Sequence, residues 1–326
     1  MTDASIKVLP VPTPFAVGRV NTYLIEDDPL TLVDAGPNSG TSLTTLEAAL
    51  AEHGRRVEDL ERIVLTHQHI DHIGLTQILA DRSGAEVCTL DALAPWLARY
   101  GSAMEEDDRF AEQLMLRNGI PKDIAIALRA VTGQFRAWGS AVAVGTPLAD
   151  GGTLGFANRT WRVLHRPGHS PSDTVFLDEA TGDLLAGDHL IKHISSNPLI
   201  SRPLDGSVPE GGRPRALLMY LESLRATREL ELRTVLPGHG DPIDDHRTLI
   251  DERLAAHERR VRKIAGIIAG EPKSAFDIAQ QMWGNVAVTQ AYLTLSEVLG
   301  HVDLLLERGE IVEREDEGVV RFATAA

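Results

Sequence analysis

Apolar positions in the first ninety residues follow two rhythms in turn. Residues 6–11, 21–25 and 30–33 are short runs rich in β-branched residues and are predicted strands, with Asp27-Asp28-Pro29 turning between the last two. Gly36-Pro37-Asn38-Ser39-Gly40 stops the third run, and Leu43, Leu46 and Leu50 then recur at helical spacing, predicting a helix over 41–53. A strand at 63–65, a helix at 75–82 and a strand at 85–90 continue the alternation. Strand and helix in turn indicate an α/β architecture.

From about 95 to 140 the pattern becomes helical, through Leu114, Leu116, Ile120, Ile124, Leu128, Val131 and Phe135, with a break at Gly119 to Pro121. This reads as a helical insertion in an α/β body, serving as a cover for a site or simply as packing. Strands return at 160–165, 174–177 and 184–186. A Pro-, Gly- and Ser-rich loop is expected over 195–215, then a helix at 217–227 and a strand at 234–236. Beyond residue 250 come helices at 254–268, 274–283 and 290–308, then a hairpin pairing 310–313 with 319–322 about Asp316-Glu317-Gly318. Three helices followed by a hairpin is the order of a winged-helix module, so two domains are expected, at 1–250 and 251–326.

At 326 residues, 43% hydrophobic and 24% charged, the chain is ordinary for a soluble protein. The first five residues show no basic and then apolar leader, and no apolar run is long enough for a membrane span. Cys88 is the single cysteine, in an apolar run, so a buried strand thiol is expected and no intrachain disulfide can form. Together these points predict a cytoplasmic protein. The net charge of −15 disfavours a polyanion held across the whole surface. Arg259, Arg260, Arg262 and Lys263 form the densest basic run, expected to be a solvated helix face.

The segment Thr66-His67-Gln68-His69-Ile70-Asp71-His72 places four potential metal ligands directly after an apolar strand. His67 and His69 can share a face because alternate residues do, while Asp71 and His72 can address a second point nearby. Imidazole and carboxylate suit zinc, and also iron or manganese. Three more candidates follow predicted strands, in Pro167-Gly168-His169, Gly187-Asp188-His189 and Pro237-Gly238-His239. A turn-forming residue before each lets the backbone bend beside a crowded site. His53, His246, His257 and His301 read as ordinary surface or core histidines, and Asp173 as a cap or turn residue.

The His-x-His-x-Asp-His motif, followed in order by Gly-His, Gly-Asp and Gly-His, resembles the metallo-β-lactamase superfamily over residues 6–244. The resemblance implies a four-layer αββα sandwich and two divalent metal ions. His67, His69 and His169 would hold one ion and Asp71, His72 and His239 the other, with Asp188 bridging them. It further implies a hydroxide shared by the two ions as nucleophile, oriented by Asp71. Asp34 stands where the family commonly has a buried aspartate, and either anchors a ligand histidine or forms a turn. Thr66 is a second supporting candidate, and His189 and His193 are candidates for substrate contact.

The superfamily spans many substrates, so fold alone does not choose among them. His67-Gln68-His69 departs from the His-His-His of hydroxyacylglutathione hydrolases. The expected activity is hydrolysis of an ester, thioester or lactone of a small molecule. A metal-dependent phosphodiesterase or endoribonuclease is the alternative, and a non-catalytic metal-binding protein the reading from another class. The C-terminal region resembles the winged-helix tail of lactamase-like proteins, but helix 290–308 carries Glu297, Asp303 and Glu307 against Arg308 alone. It therefore reads as a packing or homodimerisation module and not a nucleic-acid reader.

Overall fold

The computed structural model describes residues 5–207 and 212–325. Residues 1–4, four of the five on which the expectation of no leader rests, and part of the predicted loop 195–215 lie outside these. Two β-sheets stack face to face with helices on both outer sides, the four-layer αββα arrangement. The first sheet has the order β1 (Ile6–Val11), β2 (Val20–Ile25), β3 (Thr31–Val33), β4 (Arg62–Val64), β5 (Glu86–Leu90) and β6 (Thr146–Leu148). The second has β7 (Thr153–Gly155), β8 (Thr160–His165), β9 (Thr174–Asp178), β10 (Asp183–Gly187) and β11 (Thr234–Pro237), in chain order across the sheet.

Side-chain alternation along the strands assigns the layers. Tyr23, Ile25, Val33, Val64 and Cys88 meet Trp161, Val163, Phe176, Leu185 and Leu236 in one core between the sheets. Their neighbours Leu24, Leu32, Ile63 and Val87 face the other way, against α1 (Gly40–Glu52) and α3 (Thr76–Ser83). On the second sheet Leu164, Val175, Leu177, Leu184 and Val235 face a third core. Strands buried on both faces are apolar throughout, which is why most of them were readable from sequence.

That third core joins three regions of the chain. It takes Leu217, Tyr220, Leu221 and Leu224 from α7 (Ala216–Arg228), and Val261, Ile264 and Ile268 from α8 (His246–Ile268). Phe276 of α9 (Ala275–Trp283), Leu295, Val298 and Leu299 of α11 (Ala291–Glu307) and Phe322 of β13 (Val319–Thr324) complete it. Leu114 and Met115 of α5 (Tyr100–Arg117) belong to the same cluster, so the helical insertion docks on the C-terminal helices. The join is tight: an added Cβ on Gly119, in the left-handed region at φ +89°, would sit 2.7 Å from Ser274 Oγ. Ser274 caps α9 in a capping box with Asp277.

Some boundaries differ from the sequence reading. Helix α8 starts at His246, not at 254, because Asp245 caps its N-terminus by accepting from Thr248 N. Strands β6 and β7 and the short α10 (Val286–Thr289) were not anticipated. Arg259, Arg262 and Lys263 are exposed on α8, a solvated face, while Arg260 pairs with Glu297. Among the described residues no helix is long and apolar enough to cross a membrane.

Candidate metal centre

Strands β3 and β4 run parallel, and so do β10 and β11; β8 shares their direction because β9 is antiparallel to both β8 and β10. Asp34, His67, His169, Asp188 and His239 each follow one of these strands, so the topology delivers all five to one rim of the sandwich. The two sheets are tied there by Thr174 N donating to Thr66 O at 2.9 Å and by a bridge between Val20 and His239. Asp71 and His72 sit on α2 (Ile70–Ile73), one turn beyond.

The side chains form two adjoining groups: His67, His69, His169 and Asp188 in one, Asp71, His72 and His239 in the other, with the ligand atoms of each within 4.8 Å of one another. His169 Nε2 lies 2.9 Å from His69 Nδ1 and 3.6 Å from Asp188 Oδ2. His239 Nε2 is 3.4 Å from Asp71 Oδ2 and 3.5 Å from Asp188 Oδ2, and His72 Nε2 is 3.4 Å from Asp188 Oδ1. Asp188 therefore faces both groups at once.

The far ring nitrogens are held from behind. Asp34 Oδ2 accepts from His72 Nδ1 at 2.7 Å, and its carboxylate also accepts from Thr66 N and Thr66 Oγ1, both at 2.9 Å. With its proton given to Asp34, Thr66 Oγ1 accepts from His67 Nδ1 at 3.0 Å. The backbone oxygen of Arg19 accepts from His239 Nδ1 at 2.7 Å. These bonds fix the tautomers and turn Nε2 of all three rings toward the cluster. Glycines let the backbone come close: a Cβ on Gly187, at φ +48°, would meet Thr66 Cβ at 2.8 Å. One on Gly238 would collide with Asp188 Oδ1 and lie 2.7 Å from His72 Cε1.

Burial drives His67 and His69 toward neutrality, His69 down to about 3, and repulsion from neighbouring imidazoles adds to it. His72 and His239 move the other way: burial opposes their charge, but Asp34 and Asp188 outweigh it at His72, and Asp188 and Asp71 at His239. Asp188 is held well below the usual carboxylate range despite burial, since His72 and His239 face it. Neutral His67 and His69 and ionised Asp188 are in the forms that bind divalent metal, whereas at His72 and His239 a metal ion would have to displace the proton that the neighbouring carboxylates favour. Nε2 of His67, His72 and His239 and Oδ1 of Asp188 are buried without a hydrogen-bond partner. Leaving such atoms unmatched costs about 1–3 kcal/mol each, so the donor set fits metal ions.

Two candidates stand apart from the cluster. His189 is buried, its Nε2 paired with Thr227 Oγ1 at 2.9 Å, so its ring packs behind Asp188 against α7 and does not face a cleft. His193 is at the surface, 3.0 Å from Asp241 Oδ2. Asp173 forms a turn, accepting from Ser170 N and Oγ. Sequence reasoning missed Asn21 and Tyr23, which donate to the backbone oxygen of Pro237 at 3.1 and 2.6 Å and hold the turn carrying His239. Their alternate spacing on β2 was the available signal. It also missed that His257 and His301 are buried partners, 3.1 Å apart, with Glu297 beside them.

The family model described as metallo-beta-lactamase superfamily matches residues 16–239. The chain is similar to "Probable metallo-hydrolase YqjP" of Bacillus subtilis (strain 168), at 34% identity over 325 residues, 99% of each chain. It is also similar to the crystal structure of a metallo-beta-lactamase family protein from Thermus thermophilus. That match has 27% identity and a TM-score of 0.81, covering 99% of this chain and 100% of that one. A beta-lactamase domain protein from Burkholderia ambifaria matches at 27% identity and a TM-score of 0.84, over 99% of this chain and 93% of that one.

Proposed function

The chain belongs to the metallo-beta-lactamase superfamily and is a hydrolase of that fold, and we propose that it cleaves an ester, thioester or lactone of a small molecule with two divalent ions. Zinc is the first choice for a set of only imidazoles and carboxylates, with iron and manganese open. His67, His69 and His169 would hold one ion and Asp71, His72 and His239 the other. The carrying observation is Asp188, whose two oxygens lie 3.4 Å from His72 Nε2 and 3.6 Å from His169 Nε2, one in each group.

Bound there, the ions supply Lewis acidity and make water acidic enough to act as a nucleophile near neutral pH. Asp71, in the second of the two groups, would also orient the attacking water toward the carbonyl carbon through a carboxylate oxygen. Asp188 offsets the repulsion between the two cations. Asp34 and Thr66 keep the imidazoles in the ligating tautomer, and no side chain is needed as a covalent nucleophile.

Residues 251–326 we read as a winged-helix-like module used for packing and not for nucleic acid. This is supported by the shared core with α5 and α7 and by the pairing of Arg308 with Glu258. The test is metal content of the purified protein and of Asp188→Ala, followed by hydrolysis of lactones, a bis-nitrophenyl phosphate and short RNA. We expect about two ions per chain, fewer in the variant, and cleavage of carbonyl substrates. Faster cleavage of the phosphate or RNA would replace this reading with the phosphodiesterase. Failure to bind metal after adding zinc, iron or manganese would leave a binding protein.

A further inference from the structure

Beside the metal centre lies a cavity of about 650 Å³ that opens onto His69, Asp71, His169 and Asp188. That volume is within the range of about 300–1,000 Å³ for small-molecule sites. Its walls come from distant parts of the chain: the loop at Phe15 and Val17, Trp96, α5 with α6 (Lys122–Phe135), the segment 191–202, and the start of α11. Phe15, Trp96, Met104, Phe110, Phe135 and Tyr292 give it an apolar lining. Phe15 and Phe135 meet edge to face with centroids 5.6 Å apart. Ile194 and Leu293, also in the lining, are 44% and 40% exposed, so the apolar surface continues to solvent.

The charged side chains in this wall are already committed to one another. Asp107 accepts from Trp96 Nε1 and from Arg202 Nε, both at 2.9 Å. Arg202 also pairs with Glu106 at 2.9 Å, and Arg129 with Glu112 at 2.6 Å. Asp108 is taken by Arg136 and by Thr132 Oγ1. A ligand phosphate or carboxylate entering here would lose its water and find no unpaired cation among the described lining residues. A hydrocarbon would lose nothing and gain burial.

We propose that this cavity holds the acyl side of the substrate, and that the substrate is an ester or thioester of a medium-length or bulky apolar acid. This rests on the carbonyl-hydrolase reading. With the acyl group in the cavity, the carbonyl carbon lies at the metal end, by Asp71 and Asp188. Water adds its oxygen to that carbon and the bond to the alcohol oxygen or thiol sulfur breaks. The acid leaves as its carboxylate, the alcohol or thiol takes one of the water's protons, and the other proton passes to solvent.

The test is a pair of chain-length series on the metal-loaded protein. One is kcat/KM for nitrophenyl esters from acetate to decanoate, and the other is calorimetric affinity for the fatty acids from butyrate to decanoate. We expect octanoate to exceed butyrate by at least tenfold in both; burial of four more methylenes sets a ceiling of about 200-fold. Ala111 lies in the wall, and Ala111→Phe should lower the ratio of octanoate to acetate hydrolysis by about tenfold or more, which is the reach of a few unburied methylenes. Hydrolysis with no dependence on chain length, with fatty-acid affinity equally flat, would overturn the proposal and leave the hydrolase intact. Affinity rising with chain length, with no ester of any length cleaved, would instead overturn the carbonyl-hydrolase reading and retain the apolar site.

Discussion

The most direct probe of the centre is Asp34→Asn, a change of one atom behind the metal ligands. Asp34 lies at φ +59°, in the left-handed region. Asparagine adopts that conformation more readily than most residues, so the backbone should persist and only the hydrogen bonding change. The carboxylate accepts from Thr66 N through Oδ1, and from Thr66 Oγ1 and His72 Nδ1 through Oδ2. An amide nitrogen at Oδ2 would put donor against donor at His72. That clash is relieved if His72 moves its proton from Nδ1 to Nε2. Nε2 is the atom that faces Asp188 at 3.4 Å, and a protonated nitrogen cannot ligate a metal.

A hydrogen bond to a charged acceptor is worth about 1.5–3 kcal/mol, which converts to about 10- to 150-fold in affinity. Loss of a hydrogen-bond partner behind a ligand typically costs about 10- to 100-fold, so the two routes agree. The assay is zinc titration of metal-free protein against a chromophoric chelator, wild type beside variant. One of two binding constants should weaken by about 10- to 100-fold while the other changes little. Asp34→Ala, which removes all three hydrogen bonds and strains the backbone, should do worse. Equal zinc affinity at both sites in Asp34→Asn would refute the tautomer argument and reduce Asp34 to a turn residue.

Two further outcomes follow from the geometry. Gly238→Ala should leave a folded protein with much reduced metal content, because the added methyl occupies the space between Asp188 Oδ1 and His72 Cε1; full metal loading by elemental analysis would contradict this. His257 and His301 are each held down to about 4, first by burial. In the unfolded chain both would take up protons near their ordinary value of about 6.5. The unfolded state therefore binds more protons between about pH 6.5 and 4, and stability is present above that window and lost as pH falls through it. Between pH 6.5 and 5 the loss is about 2 kcal/mol per histidine. Urea unfolding of metal-free His301→Gln should show a shallower decline than wild type over that range, and parallel declines would count against the pair as its source.

The centre was readable because each part of it is local. A residue placed within four positions of an apolar strand's end keeps its position whatever the longer loops do. Five parallel strand ends then need only the sheet order to bring Asp34, His67, His169, Asp188 and His239 together. The misreadings share a different cause. Strand β6 is Thr-Pro-Leu and β7 is Thr-Leu-Gly, each three residues at a sheet edge, with too little apolar surface to announce a strand. The buried partnership of His257 and His301 spans 44 residues and two helices, so spacing carries no trace of it.

The same reasoning explains why His189, a sequence candidate for substrate contact, lies buried while its neighbour Asp188 faces the cluster. Adjacent residues past a strand point to opposite sides. With Asp188 turned into the centre, His189 is turned into the α7 side, where Thr227 and Tyr220 meet it. The apolar cavity is the extreme case, because its walls at Trp96, Phe135 and Tyr292 belong to separate helices that meet only in the folded molecule. The groups able to hold metal are thus encoded in short segments, and the cavity beside them in long-range packing. Substitutions around the cavity should therefore change which acyl group is taken while leaving the ligand cluster, and its affinity for metal, in place.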